Sequence, residues 1–312
     1  MTVPSLEEIR AARARIAPHL HCTPIVRSTT FERETGVITF FKCENLQKVG
    51  AFKARGACNA VLALAEAEAA RGVITHSSGN HGQALAWAAS LRRIPCVVVM
   101  PEDAPQVKIA AVRGYGGEPV LVPRASRDEV CQRLARERRM TFVHPFEDPR
   151  VIAGQGTVAL EMLEQVPDLD AIVVPIGGGG QAAGIAIVVR ELRPQLRLIG
   201  AEPAVADDAA RSLASGVRQP STGAASLADG LLTGIGVIAF QVLQEVHARV
   251  VTVSEAQLAT AARFVLERMK LVVEPSGAIV VAAVRNLAGE LAGKRVGAVL
   301  SGGNTDFRWL VP

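Results

Sequence analysis

From Val73 onward the chain alternates short apolar runs with alanine-rich stretches of helical character, and no other feature constrains its fold so strongly. Apolar runs at Val73 to His76, Cys96 to Met100 and Val120 to Val122 are followed by helix-compatible stretches at Gln83 to Leu91, Val107 to Arg113 and Arg127 to Arg138. A second series runs through Ala171 to Ile176, Gln181 to Leu192, Leu198 to Ala201, Val250 to Val253 and Glu255 to Met269, and closes with Val296 to Leu300. Strands that alternate with helices signal βαβ units, and strands covered on both faces read as continuous apolar runs. The expectation is an α/β protein with parallel sheets. Ahead of the series, Ser5-Leu6-Glu7-Glu8 predicts a capping box that opens a first helix, Cys22-Thr23-Pro24 breaks the pattern, and Ile38 to Glu44 reads as a strand. Residues 211–228 are rich in Ser, Ala, Gly and Pro without periodicity, and a surface loop or short irregular helices are expected there.

Composition narrows the partners. A chain of 312 residues exceeds the usual single core, yet no linker is visible, so one compact body of two interleaved lobes is expected. Hydrophobic residues make up 49% and aromatics only 4%, which suits Ala-, Val- and Leu-rich helices packed on buried sheet. The net charge of +4 is small, and the basic residues are interspersed with acidic ones, so no nucleic-acid partner is expected. Cys22, Cys43, Cys58, Cys96 and Cys131 are widely separated, without a CxxC pair, and read as reduced, small core residues of a cytoplasmic protein. No apolar run approaches the roughly 20 residues of a membrane span, and the N-terminus does not read as a signal peptide.

Three glycine-bearing loops fall at strand-to-helix junctions, where doubly wound folds bind ligands: Ser77 to Gly82, Gly177 to Gly180, and Ser301 to Asn304. The tetraglycine lies between the run IVVPI and a predicted helix, so its bare N–H groups suit a phosphate, although a ligand-free tight turn would use the same residues. It matches neither the dinucleotide GxGxxG pattern nor a P-loop. Lys53, in Gly50-Ala51-Phe52-Lys53-Ala54-Arg55-Gly56, sits at a loop-to-helix junction among apolar neighbours. Desolvation there would depress its pKa and make it a nucleophile toward an aldehyde, while a solvated lysine at a helix start is the commoner case.

Taken together and in order, GAFKARGA, SSGNHGQA, HPFEDPRVIAGQGT, the tetraglycine, AEPAVADD, VVEPSGA and LSGGN resemble the signature of the fold type II pyridoxal-phosphate family that contains serine/threonine dehydratases and serine racemases. The resemblance spans nearly the whole chain. It implies a tryptophan synthase β-like fold, two doubly wound α/β lobes with parallel sheets and pyridoxal 5'-phosphate in the cleft. It also implies a discontinuous large domain of residues 1–63 and 144–312 and a small mobile domain of residues 64–143 that closes over substrate. By the same resemblance Lys53 carries the cofactor, Phe52 packs beside its ring, Asn80 bonds the ring hydroxyl, Gly177, Gly178, Gly179 and Gly180 hold the phosphate, and Ser301 faces the pyridine nitrogen. A neutral hydroxyl there weakens the electron sink and disfavours transamination. Ser77, Asn80 and His81 are expected to bind the substrate carboxylate. Arg127 is a further candidate, against the plainer reading of a solvated helix charge. Glu202, Asp208 and the carbonyl of Ala206 resemble the family's divalent cation site, which with oxygen ligands alone fits Mg²⁺ or Ca²⁺. On spacing alone the two acids serve equally well as a helix cap.

The implied reaction is deamination by β-elimination. The Lys53 amine removes the Cα proton of L-threonine or L-serine, the hydroxyl leaves, and the released enamine hydrolyses to 2-oxobutanoate or pyruvate and ammonia. Ser78 keeps a second reading open, because racemases of the family use a serine here on the face opposite the lysine, and Lys53 with Ser78 supplies the two bases that serine racemisation needs. Dehydratases with this serine also exist. A β-replacement enzyme of the cysteine synthase kind is a third reading; a non-catalytic binding module is disfavoured by the joint presence of Lys53, Asn80, the glycines and Ser301. Two departures bear on substrate preference. Val49-Gly50-Ala51-Phe52-Lys53 stands where the family commonly reads Thr-Gly-Ser-Phe-Lys, and Gln181 replaces the usual apolar residue after the glycines. His76 and His144 are expected as hydrogen-bonded core or lobe-interface residues. The chain ends soon after SGGN, so control by isoleucine through a C-terminal domain is not expected. A homodimer is the family's default.

Overall fold

The computed structural model describes residues 2–77, 79–104 and 106–310. Its strands, in chain order, are β1 (Ile25–Val26), β2 (Ile38–Cys43), β3 (Val73–His76), β4 (Cys96–Pro101), β5 (Glu118–Val122), β6 (Thr141–Phe142), β7 (Ala171–Pro175), β8 (Arg197–Pro203), β9 (Arg249–Val253) and β10 (Arg295–Leu300). They form a six-stranded sheet of order β1-β2-β10-β7-β8-β9 and a four-stranded sheet of order β5-β4-β3-β6. Only the short edge strand β1 pairs antiparallel; every other pair is parallel.

Both sheets are covered on both faces. On one face of the large sheet, side chains from helices Leu6–Ile16, Pro149–Gln165, Gly180–Leu192 and Val237–Glu245 share a core with Ile172, Val174 and Val299. On the other face, helices Glu255–Phe264 and Pro275–Asn286 pack on Phe41, Val173, Ile199 and Ala298. Helices Lys53–Leu62, Asn80–Arg92 and Gln106–Gly114 cover one side of the small sheet, and Arg127–Glu137 covers the other. This is the doubly wound arrangement expected from the alternation of strands and helices. The core of the small sheet also draws in Ala57, Cys58, Ala60, Val61 and Val151, so the Lys53–Leu62 helix is packed between the two layers.

Two elements differ from their expected form. The stretch 211–228 is helical at its start, within Asp208–Ser215, and lacks regular structure only from 216 to 228. The expected helix over 255–269 is α-helical to Phe264, then forms a π-helical turn from Val265 to Met269 that stops at Lys270 in the left-handed region. Helices Pro149–Gln165 and Pro275–Asn286 escape the apolar-run pattern because they are buried almost all round, and a helix without a polar stripe shows no period. Their starts are marked instead by proline in the first turn. No helix among the described residues is long and apolar enough to cross a membrane.

The loops that follow β3, β7 and β10 all leave the carboxyl ends of their strands. They therefore open onto one cleft between the two sheets, where ligands of doubly wound folds bind.

Candidate active site

Lys53 opens its helix directly against the loop after β10. The Phe52 N–H donates to the Ser301 carbonyl at 3.0 Å, Ala51 forms a bridge with Gly302, and the Gly303 N–H donates to Gly50 at 2.9 Å. The lysine Nζ donates to the Pro145 carbonyl at 2.8 Å and lies 5.2 Å from the centre of the Phe52 ring. Burial lowers its pKa to about 8. The loop that presents Pro145 is itself braced. His144 Nδ1 accepts the N–H groups of Phe146 and Glu147 at 3.3 and 3.0 Å, and burial, then His76 and Lys53, hold this imidazole neutral with a pKa of about 4.

Two residues beyond the lysine, Arg55 anchors the helix from below. Its guanidinium donates to both oxygens of Glu44 at 2.7 and 2.8 Å and to both oxygens of Glu161 at 2.7 and 2.9 Å. Lys42 completes the set through Glu161 at 2.7 Å. The two cations and two carboxylates are all buried and balance in charge, tying the helix to the end of β2 and to the Pro149–Gln165 helix.

The tetraglycine leaves β7 and turns into the Gly180–Leu192 helix, with Gly179 left-handed at φ 78°. A Cβ on Gly178 would lie 2.4 Å from the Phe146 ring, on Gly177 2.9 Å from Leu231 Cα, and on Gly180 3.0 Å from Phe146 Cα. Side chains are therefore excluded from a loop that lines the cleft at a helix N-terminus, a cradle that fits a phosphate. Phe52, Lys53, Phe146 and the Ser301 hydroxyl line the same cleft. An enclosed amine, an anion cradle and a neutral hydroxyl thus meet in one space, as pyridoxal phosphate requires.

Asn80 begins the Asn80–Arg92 helix, and its amide is oriented from both ends. Its Oδ1 accepts from Asn304 Nδ2 at 2.9 Å, while its Nδ2 donates to Glu274 Oε1 at 2.7 Å. Asn304 in turn donates to Val49 O at 2.7 Å. Glu274 is buried, and burial followed by Asp229 pushes its carboxyl up to about 7, opposed by Lys108 and Asn80. Ser77 Oγ accepts the Gly79 N–H at 3.1 Å. Ser78 lies outside the described residues. His81 borders the cleft, but its Nε2 lies 3.2 Å from Val143 O and burial lowers its pKa well below the ordinary value.

Arg127 is not a freely solvated helix charge: it borders the cleft and donates to Asp128 at 2.9 Å. Asp128 also faces His76 Nδ1 at 3.5 Å, and His76 stacks on Phe142. Lys108, from the Gln106–Gly114 helix, crosses the cleft to Asp229 at 2.6 Å. Sequence reasoning left out Glu274, Lys108, Asp229 and Asn304. Glu274 and Asn304 stand inside recognised segments and were legible as candidates; Lys108 and Asp229 carry no local signal.

Away from the cleft, Glu202 at the end of β8 accepts the N–H groups of Ala209 and Ala210, both at 2.9 Å, so it caps the Asp208–Ser215 helix. Asp208 Oδ2 accepts from Ile235 at 2.7 Å, and its Oδ1 has no partner among the described residues. Both carboxyls are buried and shifted upward, Glu202 to about 8, and Ala206 is buried beside them. No group of three or more His, Cys, Asp or Glu side chains comes together among the described residues. The cap reading is realised for Glu202, while the open oxygen of Asp208 fits a cation.

Two parallel sheets with an enclosed lysine and a phosphate cradle at their carboxyl ends define an enzyme that works on amines through a phosphorylated carbonyl cofactor. The chain belongs to the pyridoxal-phosphate dependent enzyme family, which residues 16–302 match. It is 45% identical over 312 residues to the beta-hydroxyaspartate dehydratase of Paracoccus denitrificans, covering 98% of each chain. It is 43% identical over 313 residues to the serine racemase of Dictyostelium discoideum, covering 98% of this chain and 97% of that one. Among solved structures, the T.th. threonine deaminase superposes with a TM-score of 0.92 at 42% identity, covering 97% of this chain and 99% of that one. The cofactor is accordingly pyridoxal phosphate, and the protein is an enzyme of fold type II.

Proposed function

We propose that the protein deaminates 3-hydroxy L-amino acids by β-elimination, turning L-threonine into 2-oxobutanoate or L-serine into pyruvate, with release of ammonia. The observation that carries this reading is the Lys53 amine, which borders the cleft, is lowered to about 8 and is held by the Pro145 carbonyl 2.8 Å away. An amine so poised is partly neutral near physiological pH and can take the Cα proton. Bound pyridoxal phosphate supplies a carbonyl for the substrate amine and a ring that accepts the electron pair left at Cα. Phe52 would pack beside that ring, Asn80 would donate to its hydroxyl, Gly177 to Gly180 would hold the phosphate, and Ser301 would face the pyridine nitrogen. Asn80 and His81, in the first turn of their helix, and Ser77 in the loop before it would receive the substrate carboxylate, with Arg127 bordering the same cleft. The small domain, residues 64–143, closes over the substrate and keeps water from the elimination.

Serine racemisation is the second reading, supported by Ser78 in the sequence and by the relatives that are serine racemases. Substrates with a second carboxylate belong in the test, because a relative is a beta-hydroxyaspartate dehydratase and two cations, Lys108 and Arg127, border the cleft, each paired with an aspartate that a substrate carboxylate could replace. We place Mg²⁺ or Ca²⁺ at Glu202, Ala206 and Asp208, a structural site whose occupancy would raise the Tm over that in a chelator. A cytoplasmic location accords with the five free cysteines, of which all but the exposed Cys22 are buried as expected, and a homodimer acting on a small amino acid follows the commonest symmetry of soluble oligomers.

The deciding assay incubates the holoenzyme separately with L-serine, L-threonine, D-serine and L-threo-3-hydroxyaspartate, following 2-oxo acid, ammonia and the chirality of the remaining amino acid. Rapid oxo-acid release from L-threonine and L-serine without D-product supports the dehydratase. Accumulation of the opposite serine enantiomer at a comparable rate replaces it with the racemase, and turnover of none of these substrates refutes both.

A further inference from the structure

Gln181 is the residue that follows the tetraglycine, in the first turn of the 13-residue helix Gly180–Leu192. Its side chain is 4% exposed and the residue borders the cleft, yet neither Oε1 nor Nε2 has a hydrogen-bond partner among the described residues. A buried carboxamide with both ends unpaired destabilises the fold, and an apolar residue of the same size would not. Nothing in the packing calls for an amide here: the residues that follow it, Ala182, Ala183 and Ile185, are apolar and fully buried.

The surroundings indicate what the amide is held for. Two carbonyls of the loop are already engaged, Gly178 O by the Gly236 N–H at 3.1 Å and Gly179 O by the Ala183 N–H at 2.8 Å. The first N–H groups of the helix have no intrahelical acceptor, and the residues that bear them, Gly180 and Gln181, line the cleft. The cations that line the cleft are committed elsewhere: Lys53 to Pro145 O, Lys108 to Asp229 and Arg127 to Asp128. A cofactor phosphate on this loop therefore meets dipoles alone, next to a donor that lacks an acceptor.

We infer that the Gln181 carboxamide is a side-chain ligand of the cofactor phosphate, donating through Nε2 beside the backbone N–H groups of the glycine loop. The inference rests on the pyridoxal-phosphate reading of the cleft and adds a positioning residue to it. It assigns a cost and a return to one side chain: the apoprotein holds an unpaired amide, and the holoenzyme pairs it with an anion, where hydrogen bonds are strong.

The test compares the wild type with Gln181→Met, which keeps the volume and removes the donor. Dissociation constants are measured for pyridoxal phosphate and for pyridoxal, which lacks the phosphate, together with the ³¹P chemical shift of the bound cofactor and the Tm of the apoprotein. The expected result is about a tenfold weaker hold on pyridoxal phosphate, unchanged affinity for pyridoxal, a moved ³¹P signal, and an apoprotein Tm equal to or above that of the wild type. Gln181→Glu, which sets a carboxylate against the phosphate, should weaken the phosphorylated form further, with relief at lower pH. An unchanged phosphate affinity and ³¹P shift in Gln181→Met would overturn the inference, as would an equal loss for both ligands, which marks a packing role. If Gln181→Met does not fold, Gln181→Glu decides, and its retention of full phosphate affinity overturns the inference. Failure of the wild type to bind pyridoxal phosphate would instead overturn the cofactor reading, so the two failures are distinct.

Discussion

At the scale of single residues, the site works through side chains whose charge is set by burial. Lys53 is half deprotonated at about 8, so the rate at which the apoprotein captures pyridoxal phosphate should climb with pH and level off above that value, as followed by absorbance. Lys53→Ala should abolish capture and turnover while leaving the circular dichroism spectrum and Tm close to wild type; residual full activity would refute its role. Glu274 carries an opposite linkage. Its folded-state pKa of about 7 lies above the ordinary 4.5, so the folded state holds the proton more tightly. Stability is then lost as pH rises from about 4.5 through about 7, and Glu274→Gln should flatten that part of an apoprotein stability profile. Asp229 adds to the upward shift while Lys108 and Asn80 oppose it, and an unaltered slope would refute the titration of Glu274 in that range.

At the scale of elements, the Lys53–Leu62 helix is the part whose position matters most, and a buried ionic network holds it. Arg55→Met leaves Glu44 and Glu161 buried with only Lys42 to balance them, at a cost of about 3–5 kcal/mol. Urea unfolding of the apoprotein should report that loss. Arg55→Lys should recover part of it only, because an ammonium cannot satisfy two carboxylates with paired bonds. None of this was legible in GAFKARGA, where the arginine reads as an ordinary helix charge. Its partners stand 11 and 106 residues away along the chain, and only the packing of β2 and the Pro149–Gln165 helix around it supplies them. By contrast, the longer central strands were legible at once: a strand buried on both faces must be apolar throughout, and β4 and β7 are, whereas the two-residue strands β1 and β6 left no run to read. The two helices with no polar face were silent for the same reason, since uniform burial erases the period by which a helix is recognised.

At the scale of the whole molecule, the two sheets face each other across the cleft, and the Lys108–Asp229 pair is a direct ionic bridge across it. Asp229 is about half exposed, so the pair is screened and of modest strength. Asp229→Asn should raise KM more than it lowers kcat and make the small lobe more sensitive to protease, a difference that shrinks in high salt. Equal protease sensitivity at low salt would deny the bridge a part in closure. The amino-acid sequence by itself determined the fold class, the glycine loops and the family, and singled out Lys53 as the candidate for the cofactor, because those follow from local period, from backbone conformations open to glycine, and from the order of segments along one chain. Tertiary structure alone decided that β10 lies between β2 and β7, which brings Ser301 against Phe52, and that Glu274 orients Asn80 from 194 residues away. It also decided that Gln181 is buried without a partner. Burial and long-range pairing set these features, and both depend on how distant elements stack, which no local pattern in the chain encodes.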